Sequence, residues 1–378
     1  MKTTHLNLIH SFMDDELAPI QRIKTQLNVS LVRLKSILAE PQIDSRQFRE
    51  IENKIDDKLT KSILFYRSFT GLSGGHLKVW DYFNHVFYTS KFIPYIYFYS
   101  QQTCWDESNP WLTTDPRLIL SQPLENPGLI FIDGLDWLQF EQKFIESSPV
   151  PILNLIQGIR HTYPEDPRYA FLNKKAIRIC VSQEIKESLL KCSQVNGPLF
   201  VIPNGLNLRS LPQPLPTSEK TEEILISAFK EPGLGLQLKQ QLQAQGKKVK
   251  LLMTQQTRSD YLCQLNPAKI AIFLPNYSEG EGFYLPALEG MALGSIVICP
   301  DCIGNRSFCL PSYNCFRPDY NIRSILNAVE AASQLSIPQI HRMVTNAQQT
   351  ANQHSLARER QAFLEILENI EDLWHSSS

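Results

Sequence analysis

The sequence predicts an α/β protein of two Rossmann-like domains, with a helical N-terminal extension and C-terminal helices, and three observations carry that prediction. From residue 61 onward, short apolar runs alternate with helical lengths of chain, which is the pattern of an open parallel sheet. The runs are rich in Ile, Val, Leu, Phe and Tyr at successive positions, as strands covered by helices on both faces require. A Pro-rich stretch, Leu211-Pro212-Gln213-Pro214-Leu215-Pro216, breaks the alternation, which then resumes. A chain of 378 residues is also longer than one hydrophobic core usually organises.

Residues 1–60 place apolar side chains at helical spacing (Ile9, Phe12, Met13, Leu17, Ile20, then Leu31, Leu34 and Leu38). Their polar faces mix both signs, so the stripe reads as a face docked on its own domain rather than as a membrane anchor. Strands are then expected at 62–66, 95–99, 129–132, 152–156, 176–181 and 199–202, with a helix over 76–86. Val201-Ile202-Pro203-Asn204-Gly205 closes this half, because Asn and Gly tolerate the positive φ of tight turns. After the Pro-rich stretch, strands are expected at 224–227, 249–253, 270–274 and 296–299, and residues 324–374 read as helices. The expected organisation is therefore a helical extension (1–60), a first Rossmann-like domain (61–205), a linker (206–222), a second Rossmann-like domain (223–354) and a C-terminal helix (355–378) packing back toward the first domain.

Lys and Arg number 37 against 38 Asp and Glu, so no overall field draws the chain to nucleic acid. The early acidic pair Asp14 and Asp15, and the lack of any run near 18 apolar residues, make a cytoplasmic protein the expectation. The eight cysteines read as reduced thiols. Cys299, Cys302, Cys309 and Cys315 bunch together and open with a C-x-x-C, which leaves zinc or an iron–sulfur cluster as an alternative. Only one such knuckle is present and Cys299 ends a strand-like run, so packing thiols are the preferred reading.

The most informative segment is Glu281-Gly282-Phe283-Tyr284-Leu285-Pro286-Ala287-Leu288-Glu289-Gly290-Met291-Ala292, just after the strand at 270–274. A strand, a Gly-containing turn and a helix opened by Pro286 present backbone N–H groups to an anion at the carboxyl edge of the sheet. Wholly helical intervening residues would set the Glu281 and Glu289 backbones about 12 Å apart. That is wider than the roughly 5–9.5 Å of a hydrolytic carboxylate pair, and it suits two acids gripping the ends of one extended ligand.

This segment closely resembles the E-x7-E signature of retaining GT-B glycosyltransferases. The resemblance implies Glu289 on ribose hydroxyls, Glu281 near the donor sugar, the amides around Phe283, Tyr284 and Leu285 facing the phosphates, and Gly282 on the donor side. Tyr284 stands where many relatives carry Gly. Gly71-Leu72-Ser73-Gly74-Gly75 is similar to the family's Gly-Gly turn, which assigns Gly74 and Gly75 to the donor; as a bare turn it could equally be structural. Gln157-Gly158-Ile159-Arg160-His161 follows a strand. In look-alike enzymes a His in this region faces the transferred sugar, which implies that role for His161 and a supporting one for Arg160, against a plain surface loop.

Lys230 is the candidate cation for the leaving diphosphate. Relatives commonly carry Gly-Arg nearby, where this chain reads Ser227-Ala228-Phe229-Lys230. Arg258 is either a replacement on the donor side or a solvated charge. Gly304-Asn305-Arg306 departs from a Gly-Gly-Glu pattern common in relatives.

Taken together, the resemblance implies transfer of a sugar from a nucleoside-diphosphate donor to an acceptor hydroxyl of a saccharide or lipid-linked molecule, with retention of configuration. The first domain would take the acceptor and the second the nucleotide sugar. No Asp-x-Asp pair calls for a divalent ion, so neither metal nor cofactor is expected, and peripheral membrane contact stays open. A nucleotide-sugar-binding or scaffold protein without turnover is the alternative.

Overall fold

The computed structural model describes residues 61–376 except 72, 88–91, 107–108, 142–143, 145–147, 255 and 278–279, so the helices expected in residues 1–60 lie outside the described residues. The chain is α/β with parallel sheets, and it divides into two compact units, Met1–Pro127 and Gly128–Ser378.

In the first unit, strands β1 (Lys61–Arg67), β2 (Phe92–Phe98) and β3 (Ile119–Leu120) run parallel in the order β3-β2-β1. The Gly74-Gly75 pair opens helix α1 (Gly74–Phe87). A Cβ at Gly74 would meet nothing within 4 Å, so packing does not demand glycine there. The residue whose backbone does demand it is Gly71, with φ +146. At the other end of the first turn of α1, the Arg67 Nε donates to His76 Nδ1 at 3.0 Å. Burial, with the Arg67 charge behind it, lowers the His76 pKa to about 4.

The second unit contains two parallel sheets. One has the order β4-β5-β6-β7, from β4 (Leu129–Asp133), β5 (Ile152–Ile156), β6 (Ile177–Cys180) and β7 (Leu199–Val201). Helix α2 (Gln183–Leu190) follows β6, its Ser182 cap accepting from the Ile185 N–H. Every residue of β4, β5 and β6 is buried, which is why these strands read as continuous apolar runs. Arg178 is the exception in chemistry. Fully buried in β6, its guanidinium donates to the carbonyls of Ala176, Phe171, Leu172, Lys174 and Asn196, and so fastens the loop after β5.

The other sheet has the order β11-β10-β8-β9, from β8 (Glu222–Ser227), β9 (Val249–Leu252), β10 (Ala268–Phe273) and β11 (Ile296–Ile298). Helices α3 (Pro232–Ala244), α4 (Arg258–Leu265) and α5 (Leu285–Ala292) connect its strands. The Pro-rich stretch is tied to α4: Asn266 at its end donates to the Gln213 carbonyl and accepts from the Leu215 N–H, while the buried Lys220 ammonium reaches the Asn266 and Leu293 carbonyls. The expected run of C-terminal helix resolves into α6 (Ile322–Ser333), α7 (Ile337–Gln353), α8 (Leu356–Glu368) and α9 (Ile370–His375). Helix α8 lies on the first sheet of this unit. Phe363 packs edge-on against Phe131, Glu359 accepts from the Gly205 N–H, and Leu206 exchanges backbone bonds with His354 and Leu356. A side chain at Gly205 would strike the Leu356 backbone at 2.8 Å, so the Asn-Gly turn is needed for this approach.

Among the described residues no helix is long and apolar enough to cross a membrane.

Candidate functional site

Four elements bring their ends together at the carboxyl edge of the β8–β11 sheet: the last residue of β8, the first turn of α4 after β9, and the turn and helix start after β10. The carboxyl edge is where a parallel sheet gathers loops, and where helix N-termini offer unpaired N–H groups.

The turn after β10 is built by short contacts. Glu281 pairs with Ile303 as an isolated bridge, its N–H donating to the Cys302 carbonyl at 3.1 Å. Ile303 has φ 69, a left-handed conformation that a β-branched residue holds only under strain. Gly304 must be glycine, because a Cβ there would lie 2.5 Å from the Glu281 carbonyl oxygen. Gly282 is more constrained still: its Cβ would stand 2.0 Å from the Gln157 carbonyl oxygen. The turn is therefore pressed directly onto the loop after β5, and Gly280 lies against Ile159 of the same loop. Phe283 turns its ring into an aromatic group with Phe308 and His354, at centroid distances of 4.9 and 5.8 Å.

Helix α5 starts at Leu285 with Pro286 in its first turn and no side-chain cap. Its residues 281–284 are not helical, so the 12 Å spacing expected of a continuous helix does not describe this segment. The expected set of phosphate-facing amides also needs one correction. The Tyr284 N–H donates to the Gly304 carbonyl at 3.1 Å and is committed to the fold, while those of Phe283 and Leu285 have no partner among the described residues. Gly290 brings α5 close to the sheet, since a Cβ there would meet the Phe273 ring at 2.6 Å. That close approach buries its neighbour Glu289, which is 2% exposed.

Each acid of the motif has its own cation. Lys230, just beyond β8, places its ammonium 2.6 Å from Glu281 Oε1, an oxygen that also accepts from the Asn276 N–H at 3.0 Å. The same ammonium stands 5.9 Å from the centre of the Tyr284 ring. Arg258, the first residue of α4, places Nη1 2.5 Å from Glu289 Oε1. Burial raises the Glu289 pKa, and the Arg258 charge works against that rise. Arg258 is thus no isolated surface charge.

His161 sits in a one-turn helix, Ile159–Thr162, and is 4% exposed. Burial, together with the Arg168 charge and partly offset by Asp166, lowers its pKa to about 3, so the ring is neutral at pH 7. Arg160 is half-buried one residue before it. In the same loop, Gln157 Nε2 donates to Asp133 at 2.9 Å, and Asp136 in turn accepts from the Asp133 N–H. Asp133, at the carboxyl end of β4, escaped the sequence reading; the Asp133-Gly134 step after an apolar run was the available signal. Ser227 and Tyr261 escaped it too; the buried Tyr261 phenol feels the Glu289 and Arg258 charges and bonds with Ser227.

The four bunched cysteines are buried free thiols, and the Asn305 amide donates to Cys299 Sγ at 3.2 Å and to the Pro300 carbonyl at 2.8 Å. No group of three or more His, Cys, Asp or Glu side chains among the described residues is arranged to hold a metal ion.

No protein-family model matches the sequence, and no curated protein matches it. Solved structures do match. HepE of Anabaena in complex with UDP and glucose superposes with a TM-score of 0.63 at 14% identity, covering 82% of this chain and 100% of that one. A glycosyltransferase from Rickettsia africae gives 0.60 at 16% identity, covering 82% and 99%. Sucrose-phosphate synthase from Thermosynechococcus elongatus gives 0.60 at 14% identity, with the same coverage. The chain has the fold of the GT-B glycosyltransferases.

Proposed function

We propose that the chain is a glycosyltransferase that moves a sugar from a nucleoside diphosphate to an acceptor hydroxyl with retention of configuration and without a metal ion. The observation that carries this reading is the pairing of Glu281 with Lys230 and of Glu289 with Arg258 around one uncapped helix start. Two acids for hydroxyls, two cations and open amides for phosphates are the complement of a nucleotide sugar. The solved complexes of HepE with UDP and with UDP-glucose support that donor class.

On this reading Glu289 accepts from ribose hydroxyls and Glu281 from the donor sugar. Lys230 and the Phe283 and Leu285 amides stabilise the charge that grows on the leaving diphosphate, an electrostatic contribution that needs no general base. The neutral His161 ring donates to the transferred sugar, supported by Arg160. Residues 61–205 hold the saccharide or lipid-linked acceptor, with Gly74 and Gly75 toward the donor, and residues 223–354 hold the nucleotide sugar. The protein works in the cytoplasm.

Sugar release and transfer from UDP-glucose, measured across an acceptor panel, test the proposal. Glu281→Ala and Glu289→Ala should each lose most of the transfer rate, and wild-type rates in both would end the idea. A binding protein of the same fold without turnover is the second reading. The lack of an Arg in Ala228-Phe229-Lys230, in the stretch where the family this chain resembles commonly carries Gly-Arg, favours it; nucleotide-sugar binding with no transfer to any acceptor would select it.

A further inference from the structure

Strand β11 leads into the C-x-x-C of Cys299-Pro300-Asp301-Cys302, and one side chain folds that segment into a turn. The Asn305 side-chain oxygen accepts from the Cys302 N–H at 3.3 Å, and its amide donates to the Pro300 carbonyl at 2.8 Å and to Cys299 Sγ at 3.2 Å. The turn brings the Cys299 and Cys302 thiols into hydrogen-bond contact, and the contact runs on from Cys299 to Cys309 and from Cys309 to Cys315. Cys302 is 5% exposed and the other three 0%.

A thiol kept only for packing behaves like Cys180 in β6, which burial pushes up to about 12 and so leaves as an inert S–H. Burial acts in the same direction on Cys299, but the Cys302 and Cys309 thiols and the Asn305 amide all donate to its sulfur and hold it below its ordinary range. The Cys299 S–H itself reaches the Pro300 carbonyl only at 3.7 Å, and a thiol is a weak donor. Cys302 moves the other way, because it gives its hydrogen bond to Cys299 and is buried. A stabilised thiolate touching a protonated thiol is the pair that dithiol oxidation uses. Packing alone gives no reason for a buried amide aimed at sulfur.

The same turn seats the Glu281 segment. The Cys302 carbonyl accepts from the Glu281 N–H at 3.1 Å, the Gly304 carbonyl accepts from the Tyr284 N–H at 3.1 Å, and between them stands Ile303 in its left-handed conformation. We propose that Cys299 and Cys302 form an oxidation site for hydrogen peroxide, and that their disulfide loosens the turn that carries Glu281. The Cys299 thiolate attacks one peroxide oxygen; the O–O bond breaks, and hydroxide leaves and is protonated to water, giving a sulfenic acid. The Cys302 sulfur then attacks the Cys299 sulfur: the S–S bond forms, the S–O bond breaks, and the hydroxyl leaves as water with the Cys302 proton. Two thiols and one peroxide become one disulfide and two waters, the sulfurs having given two electrons to the peroxide. Closing the contact to an S–S bond of about 2.0 Å draws Cys302 toward Cys299 and its carbonyl away from Glu281. The site stands whether or not the nucleotide-sugar reading does.

Peptide mapping and hydrogen exchange test this on the full chain, reduced and then exposed to hydrogen peroxide, with free thiols alkylated before digestion. Trypsin places Cys299 and Cys302 together on peptide 270–306, and Cys309 and Cys315 on the next one. Peptide 270–306 should escape alkylation, weigh two hydrogens less than its free-thiol form, regain them with dithiothreitol, and stay unlinked to its neighbour. In the oxidised protein the Glu281 and Tyr284 amides should exchange about tenfold faster or more, the scale of losing one backbone hydrogen bond. Cys302→Ser, with its melting temperature confirming the fold, should keep the reduced exchange rates in peroxide. Two free thiols on peptide 270–306 while the exposed Cys263 is oxidised, or a cross-link to the next peptide, would overturn the site. A Cys299–Cys302 disulfide with unchanged exchange would overturn its hold on Glu281.

Discussion

The Arg258 guanidinium lies 2.5 Å from a Glu289 carboxylate that is almost wholly buried, so the acid most deeply set in the motif is charge-balanced from a different helix. Removing one partner of a buried pair leaves an uncompensated charge, which typically costs about 3–5 kcal/mol. The folded-state pKa of Glu289 is raised above its ordinary 4.5 by burial. The folded protein therefore holds that proton more tightly than the unfolded chain, and stability is lost as pH rises from 4.5 through the raised value. Without Arg258 the pKa rises further and the loss extends to higher pH. Thermal melts of Arg258→Ala should show a deficit of about 3 kcal/mol near pH 7 that narrows toward pH 4.5; a pH-independent deficit would contradict the pairing.

Lys230 behaves differently because half of its side chain is exposed. Pairs of that kind contribute about 0–1 kcal/mol, so the Lys230–Glu281 contact has little structural reason to exist. Lys230→Met should melt within about 1 kcal/mol of the wild type while its kcat falls about 100-fold, the usual scale for removing a charge-stabilising donor. Equal losses in stability and rate would assign Lys230 to the fold.

Gly282 is fixed by the Gln157 carbonyl, 2.0 Å from where a Cβ would stand. Backbone cannot retreat as a flexible side chain can, so Gly282→Ala should push the Glu281 turn off the loop after β5. An overpacking cost of about 1–3 kcal/mol should accompany a rise in KM for the donor, and kinetics at unchanged KM would contradict the contact.

His161 carries a folded-state pKa of about 3 against an ordinary 6.5. Here the sign is the reverse of that for Glu289: the unfolded chain takes up the proton first, so stability falls as pH drops from 6.5 toward 3. His161→Gln should flatten the acid limb of the stability curve by about 1.4 kcal/mol per pH unit in that window. His76, lowered to about 4 in the first unit, adds a second such contribution that the substitution leaves in place. An unchanged slope would show that His161 is solvated.

Strand positions were legible in the sequence because both faces of each are covered: the expected strand at 152–156 coincides with β5, and those at 129–132 and 176–181 fall within a residue of β4 and β6. The two-residue β3 was not legible, since the run Leu118-Ile119-Leu120 is shorter than the about four residues that mark a strand. Both glutamates were singled out by one contiguous motif and its spacing, and Lys230 by its place just after an expected strand. The cation of Glu289 was half found, because nothing in the order of residues says that the first turn of α4 reaches across β8 to α5. Ser227 and Tyr261 are ordinary residue types, and only the order of the β8–β11 sheet brings the end of β8 beside α4, while Asp133 ends β4 in the other sheet. Tyr284 shows the converse. Its place in the motif suggested a free amide, but the positive φ of Ile303 turns the Gly304 carbonyl onto it, and a strained loop 20 residues away leaves no local mark.

Thermal unfolding with and without UDP, GDP and ADP tests the central claim most directly. At least one of these should stabilise the wild type, by about 2.7 kcal/mol at roughly 100 times its Kd, and the same nucleotide should leave Glu289→Ala unshifted. No shift with any of the three, or an equal shift in wild type and variant, would contradict a nucleotide seat built on Glu289.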